Sequence, residues 1–397
     1  MQERSSFAIW MIILGLSLGP AISNGFARFA YGLILPAMRT DLSWNYTQSG
    51  WINTSNAVGN LIGAMLALSL VNRIGPRALF IWGFALTALA LALSATTRDL
   101  WTLTYWRMMA GIGGAPVFIA GGVIVSGLFA DHRARNALAI GVYFGGGGLG
   151  MLLTAVSIPP FMDWFGEPGW PLVWLALGIA TFVAFIPAWI AAEAIAEPAS
   201  RATEAQAQSL PVKSMMPALA CYFLFGLGYL IYVTFMIAWM RDGGADTDTI
   251  ALTWAIMGVG VMLSPFLWQR VLARAKGGRA MCQTSLAIGI GILLPIASDH
   301  PASPMVSAAI VGGTFFMVPS AITTFSRKNL PPAQWGRAVS LFTVIFSIGQ
   351  IIGPVGAGAI SDLTGGTTTG LVISSVILFG GAGIGAAQNP LIEGDTA

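Results

Sequence analysis

The chain is a succession of apolar runs, each about twenty residues or longer, divided by short polar stretches. A bilayer core of roughly 30 Å demands that length of a helix, whereas barrel strands would be shorter and would alternate in polarity. The runs predict helices over 7–36, 47–72, 76–97, 100–129, 135–161, 169–192, 214–240, 247–272, 280–298, 303–326, 334–361 and 368–387, twelve in all. Their Pro and Gly content predicts kinks rather than straight rods.

Composition agrees, since 56% of the 397 residues are hydrophobic and 9% are charged, against roughly 25% charged in a soluble domain. The opening "MQERSS" is too short and too weakly charged for a signal-peptide n-region, so the first run is expected to be retained as a helix. Basic residues set the orientation. With the N-terminus inside, Arg4, Arg73, Arg77, Arg133, Arg135, Arg201, Lys213, Arg270, Arg274, Lys276, Arg279, Arg327, Lys328 and Arg337 are cytoplasmic. Only Arg39, Arg98 and Arg241 fall outside, so both termini are expected in the cytoplasm. Anionic lipid headgroups account for the excess of flanking cations, and no nucleic acid is implied. Cys221 and Cys282 have neither a paired spacing nor a nearby His, which leaves disulfide and metal readings without support.

The chain repeats itself at an offset of 202 positions. "AMRTD" matches "WMRDG", "NRIGPRALF" matches "RAKGGRAMC" so that Gly75 aligns with Gly277, and "ARNALAI" matches "WGRAVSL" so that Arg135 aligns with Arg337. "FMDWFG" and "ISDLTG" close the two halves. The expected organisation is a six-helix bundle over 1–192, a cytoplasmic linker rich in Ala, Gln and Glu over 193–213, and a second bundle over 214–397. Parallel repeats of this kind, with a binding site between them, describe one large class of secondary transporters.

Candidate chemistry begins with Arg28, a permanent cation in the middle of "NGFARFAYGLILPAM". Asn24, Arg28 and Tyr31 recur at helical spacing and share a face. Snorkelling to the interface is the structural alternative, but Arg28 lies about 12 Å below Pro36 at 1.5 Å per residue. Arg107 enters from the outer end of the fourth segment to a similar depth, either as a second contact or coupler or as a structural residue. Asn53, Asn56 and Asn60 line one face of the second segment, where coordination of a polar ligand competes with interhelical hydrogen bonding. Asn60 is assigned to packing, and Gly59 with Gly63 to close helix approach. In the second half Tyr229 and Tyr232 flank Leu230, the position matching Arg28, and Gln350 adds an amide. "GGGGLG" satisfies a dinucleotide fingerprint literally, but no strand precedes it, so it reads as close-packing helix.

"RMMAGIGGA", with Arg107, Gly111, Gly113 and Ala115, and "NRIGPR", with Arg73, Gly75 and Arg77, resemble signatures of the major facilitator superfamily. The resemblance covers essentially the whole chain, and "GFARFAYGLILPAM" with "GWINTSNAVGNLIGA" resembles its YbfB/YjiJ-like subgroup. It implies the all-α fold of that superfamily, with two pseudo-symmetric six-helix bundles and alternating access. It also implies conformational roles for Asn72, Arg73, Gly75, Arg77, Gly111, Gly113, Arg135 and Arg337. Asn72 replaces the signature aspartate, so the usual charge pair of the cytoplasmic gate is altered. The fifth segment carries Gly146 and Leu149 where drug antiporters prefer Pro and Gly, which weakens an antiporter assignment.

None of the 16 acidic residues falls in a predicted membrane core. Two buried cations without a buried carboxylate favour a visiting anion. The expectation is a secondary transporter of a small organic anion, a carboxylate, in a bacterial inner membrane, without cofactor or metal and as a monomer. Arg28 is the main contact, with Asn24, Tyr31, Asn53, Asn56, Arg107, Tyr229, Tyr232 and Gln350 around it. A coupled proton would ride on the substrate, on water or through Arg107, and exchange or facilitated diffusion fits equally. The alternatives are export of amphipathic drugs or metabolites from an aromatic cavity and a non-transporting receptor. An enzyme lacks any nucleophile, metal or phosphate constellation here.

Overall fold

The computed structural model describes residues 6–129, 132–195 and 209–391, all of it helix, turn or loop. Most of the expected linker, together with Arg4 and Arg201, lies outside the described residues. Helix α1 spans 6–41 as an α-helical Ser6–Pro20, a π-helical Ala21–Phe29 and an α-helical Ala30–Asp41. One continuous stretch, Tyr46–Ser94, holds both α2 (46–74) and α3 (76–94), because Gly75 turns the chain at φ 80° between them. A positive φ is inexpensive only for glycine, and Pro76 restarts the helix.

Then follow α4 (Leu100–Ser126), α5 (Arg133–Phe165), α6 (Trp170–Glu193), α7 (Met216–Asp242), α8 (Thr247–Arg274) and α9 (Arg279–Ala297). Helix α10 is broken into Ser303–Gly312 and Met317–Asn329, and α11 (Pro332–Thr364) and α12 (Thr368–Ala386) complete the described chain. Among the described residues these make eleven continuous spans of membrane length and apolarity. The bend at Gly75 divides one of them in two, which gives the twelve helices expected.

Local signals fix several starts. Asn45 and Gln48 form a reciprocal capping box at α2, the Asn45 side chain accepting from the Gln48 amide at 2.8 Å. Asp99 and Asp246 cap α4 and α8 through the amides of Thr102 and Thr249 at 2.8 and 2.6 Å. Those bonds hold both carboxyls below the ordinary carboxylate range, Asp99 chiefly through the Thr102 amide and Asp246 through the Thr249 side chain and amide.

The two halves meet along α5 with α8 and α2 with α11. Glycine permits that approach: a Cβ on Gly148 would stand 2.3 Å from the Gly258 carbonyl oxygen, and one on Gly50 would stand 2.2 Å from that of Pro354. "GGGGLG" is thus the close-packing helix its sequence suggests. Polar contacts between the halves gather at the face opposite the termini, here the distal face. Arg39 pairs with Asp242 at 3.7 Å, Arg241 with Glu167 at 3.4 Å, and Tyr46 donates its hydroxyl to Asp242 at 2.8 Å. Asp362, at the end of α11, accepts from the Tyr46 and Thr47 amides at 2.7 and 2.9 Å and so caps α2. Asp163, at the end of α5, accepts from Thr247 at the start of α8 at 2.9 Å. These two aspartates are the ones "ISDLTG" and "FMDWFG" place at equivalent points of the repeat.

Near the terminal face Arg77 binds Glu193 at 3.0 Å, and Lys328 caps the end of α8 through the carbonyls of Leu272, Ala273 and Ala275, each within one half. The cross-half bonds of Asp242, Asp362, Asp163 and Glu167 close the molecule at the distal face.

Candidate functional site

Below the closed face a cavity of about 320 Å³ lies between the halves. Its lining runs from Phe29 and Phe315 toward Leu68 on α2 and Val339 on α11, toward the terminal face. The helices that build it are irregular where they meet it. The π-helical segment of α1 carries Asn24 and Arg28, and the break in α10 presents Phe315 and Phe316. π-Helical turns and broken membrane helices both recur at functional sites, because irregular backbone at membrane depth survives only inside protein or beside a cavity.

Among the described residues, Arg28 is the only charged one in this lining. It is buried, 7% exposed, and its Nε and Nη2 make no hydrogen bond to the protein. Those two atoms form one edge of the guanidinium, the edge that meets both oxygens of a carboxylate in a bidentate pair. Asn24 stands beside it with an unpartnered Nδ2. Tyr229 faces them from α7, and its hydroxyl accepts a hydrogen bond from Gln350 Nε2. Its own hydrogen therefore remains to be donated.

Other candidates lie elsewhere. Arg107 is fully buried outside the cavity lining; its Nη2 donates to the Ala27 carbonyl, and its guanidinium lies 4.5 Å from the centre of the Trp174 ring. Depth in the membrane was legible, but the direction in which α4 turns the side chain was not. Tyr31 donates to the Ser49 carbonyl at 2.7 Å, Asn56 to the Arg107 carbonyl at 3.1 Å, and Asn53 to Thr234 across the two halves. Tyr232 pairs with Ser307 at 2.8 Å. These bonds join helices and leave Asn24, Arg28 and Tyr229 as the candidates that line the cavity. Asn60, assigned to packing, also lines the cavity. Gly59 and Gly63 do serve close approach, to the Met108 and Ile112 carbonyls of α4.

Of the gating candidates, Asn72 and Arg73 are exposed beside the Gly75 turn, and Arg135 and Arg337 are exposed near the starts of α5 and α11. Gly111 and Gly113 pack α4 against the Asn56 and Gly83 carbonyls.

The sequence reading missed the aromatic wall. Tyr222 and Phe225 of α7, with Phe342 and Phe346 of α11, join Tyr229, Phe315 and Phe316 in the lining. Tyr222, Phe225 and Tyr229 recur at i, i+3 and i+7, and Phe342 and Phe346 at i and i+4, but they come from distant segments that only the fold brings to one cavity. A shallower depression of about 750 Å³ at the distal face, edged by Asp242, Asp246 and His300, is formed largely by loops.

The family model described as "Uncharacterised MFS-type transporter YbfB" matches residues 21–386. The chain is 23% identical over 352 residues to the inner membrane transport protein YdhP of Escherichia coli K12, covering 88% of each chain. It is 25% identical over 399 residues to monocarboxylate transporter 13 of Bos taurus, covering 94% of this chain and 88% of that one. A crystal structure of a D-xylose-proton symporter superposes with a TM-score of 0.76 at 15% identity, over 98% of this chain and all of the other, a likeness of fold alone.

Proposed function

The chain belongs to the family described as uncharacterised MFS-type transporter YbfB, and from that premise we propose that this membrane transporter moves a small organic anion, a carboxylate, by alternating access. The observation that carries the proposal is Arg28, whose free Nε and Nη2 face a cavity with no acidic residue among the described residues of its lining. A buried guanidinium without a counter-charge is costly, and a substrate carboxylate offsets that cost while it is bound. Similarity to a protein named as a monocarboxylate transporter points the same way.

The basic residues at the terminal face support a cytoplasmic location for both termini in a bacterial inner membrane. In that orientation the cavity faces inward. The units that rock about it are residues 1–192 and 214–397, tied by the 193–213 linker. With no carboxylate in the lining, a coupled proton travels on the substrate or on water rather than on a cavity acid.

Thermal stability of the purified protein in detergent, against a panel of organic anions, lipophilic cations and neutral drugs, tests this directly. Carboxylates should raise the melting temperature of the wild type and lose that effect in Arg28→Gln. Stabilisation of both proteins alike by cations or neutral compounds would overturn the proposal in favour of amphipathic export.

A further inference from the structure

Resting on the anion reading above, we infer that the anion is an aromatic monocarboxylate, its carboxylate on Arg28 and its ring against the stacked rings of α7 and α11. The ring stack is unusually uniform in direction. Tyr222, Phe225 and Tyr229 lie at 13°, 13° and 9° to the plane of Phe346, with centroids 4.7, 5.6 and 5.9 Å from it. Phe315 continues the series at 18° to Tyr229. A wall of near-parallel rings presents one plane to a planar ligand, and offset stacking adds to what area burial alone supplies. Phe346 is half-buried and lines the cavity, so part of the stack is reachable.

Cationic donation is confined to one side, and Asn60 adds only a neutral amide to the lining. Arg28, Asn24 and the Tyr229 hydroxyl can all meet an oxyanion. The hydroxyls of Thr323, Ser340 and Thr343, which also line the cavity, donate instead to the Pro319, Gly336 and Val339 carbonyls of their own helices at 3.0, 2.9 and 2.8 Å. They present lone pairs only. A second carboxylate placed there would meet acceptors and rings with no cation, which limits the ligand to one negative charge. The volume of about 320 Å³ sits near the lower end of small-molecule sites, roughly 300–1,000 Å³, and suits a single ring with a short acid arm.

Calorimetric titration of the purified full-length protein with phenylacetate, cyclohexylacetate, phenylsuccinate and 2-phenylethanol separates the possibilities. Phenylacetate should bind about two- to tenfold more tightly than cyclohexylacetate, the range that an aromatic pair supplies beyond burial. Phenylsuccinate should bind more weakly than phenylacetate, and Arg28→Gln should lose both acids. In Phe346→Leu the advantage of phenylacetate over cyclohexylacetate should collapse toward one, with Phe316→Leu as the second variant if the first does not fold. Equal affinity of the two monoacids in the wild type would overturn the aromatic assignment while leaving the anion reading intact. Tighter binding of phenylsuccinate would overturn the single-charge assignment. Binding of 2-phenylethanol with neither acid would overturn the anion reading itself.

Discussion

The rings of Phe29 and Phe315 meet edge to face, centroids 5.7 Å apart and planes at 89°. Phe29 ends the π-helical segment of α1, and Phe315 lies in the break of α10, so the two irregular stretches of the chain touch across the cavity. Arg28 precedes one ring and Phe316 follows the other. The contact closes the cavity on its distal side, and it must open for a ligand to leave that way.

Arg107 lies outside the cavity lining, and its bond to the Ala27 carbonyl predicts a structural role. Arg107→Ala removes the donor to the Ala27 carbonyl and the guanidinium beneath Trp174. The loss of a buried charged hydrogen bond together with the void left behind should cost about 2–4 kcal/mol. Thermal melting should show a clear fall, with the anion Kd of the folded fraction changed by less than about threefold, a little under half the free energy of a tenfold step. An unchanged melting temperature with lost anion binding would instead place Arg107 at the ligand.

What could be read from sequence follows from this contrast. Runs of apolar residues set the helices because a bilayer admits little else, and Arg28 announced itself because a charge inside such a run needs a reason. The sequence locates a residue along a helix and much less securely around it. Arg28 and Arg107 sit at similar depth, yet one lines the cavity and the other binds backbone. Tyr229 and Tyr232 are three residues apart, and only the first reaches the cavity lining. The π-helical segment further shifts the register on which the face of Asn24, Arg28 and Tyr31 was drawn.

Asp362 holds the distal face by placing a carboxylate on the first amides of α2. Asp362→Asn keeps the side-chain shape and removes the charge from the helix N-terminus, an interaction of about 0.3–1 kcal/mol at an exposed site. The ratio of distally closed to distally open molecules should fall roughly two- to fivefold. Spin labels at Thr96 and Asp299, one on each half at that face, report this as a growing long-distance population. An unaltered distance distribution would remove Asp362 from the latch.

The capping carboxylates give stability a defined acid dependence. Asp99 and Asp246 titrate lower in the folded chain than in the unfolded one. Their contribution is fully present above the unfolded value of about 3.9 and is lost as pH falls through the lower folded value. Melting temperature recorded from pH 7 to pH 3 should therefore drop at the acid end, and the drop should be smaller in the double variant Asp99→Asn, Asp246→Asn, whose amides still cap without titrating. Identical acid profiles for both proteins would assign the loss to other groups.

The most direct measurement is uptake of radiolabelled phenylacetate and of labelled short-chain monocarboxylates into proteoliposomes, comparing wild type with Arg28→Gln and Arg28→Lys. Loss of a charged, bidentate contact should reduce uptake of every transported acid about ten- to a hundredfold in Arg28→Gln, with partial retention in Arg28→Lys, which keeps the charge without the fork. Wild-type uptake by folded Arg28→Gln would contradict the assignment of Arg28 as the anion site.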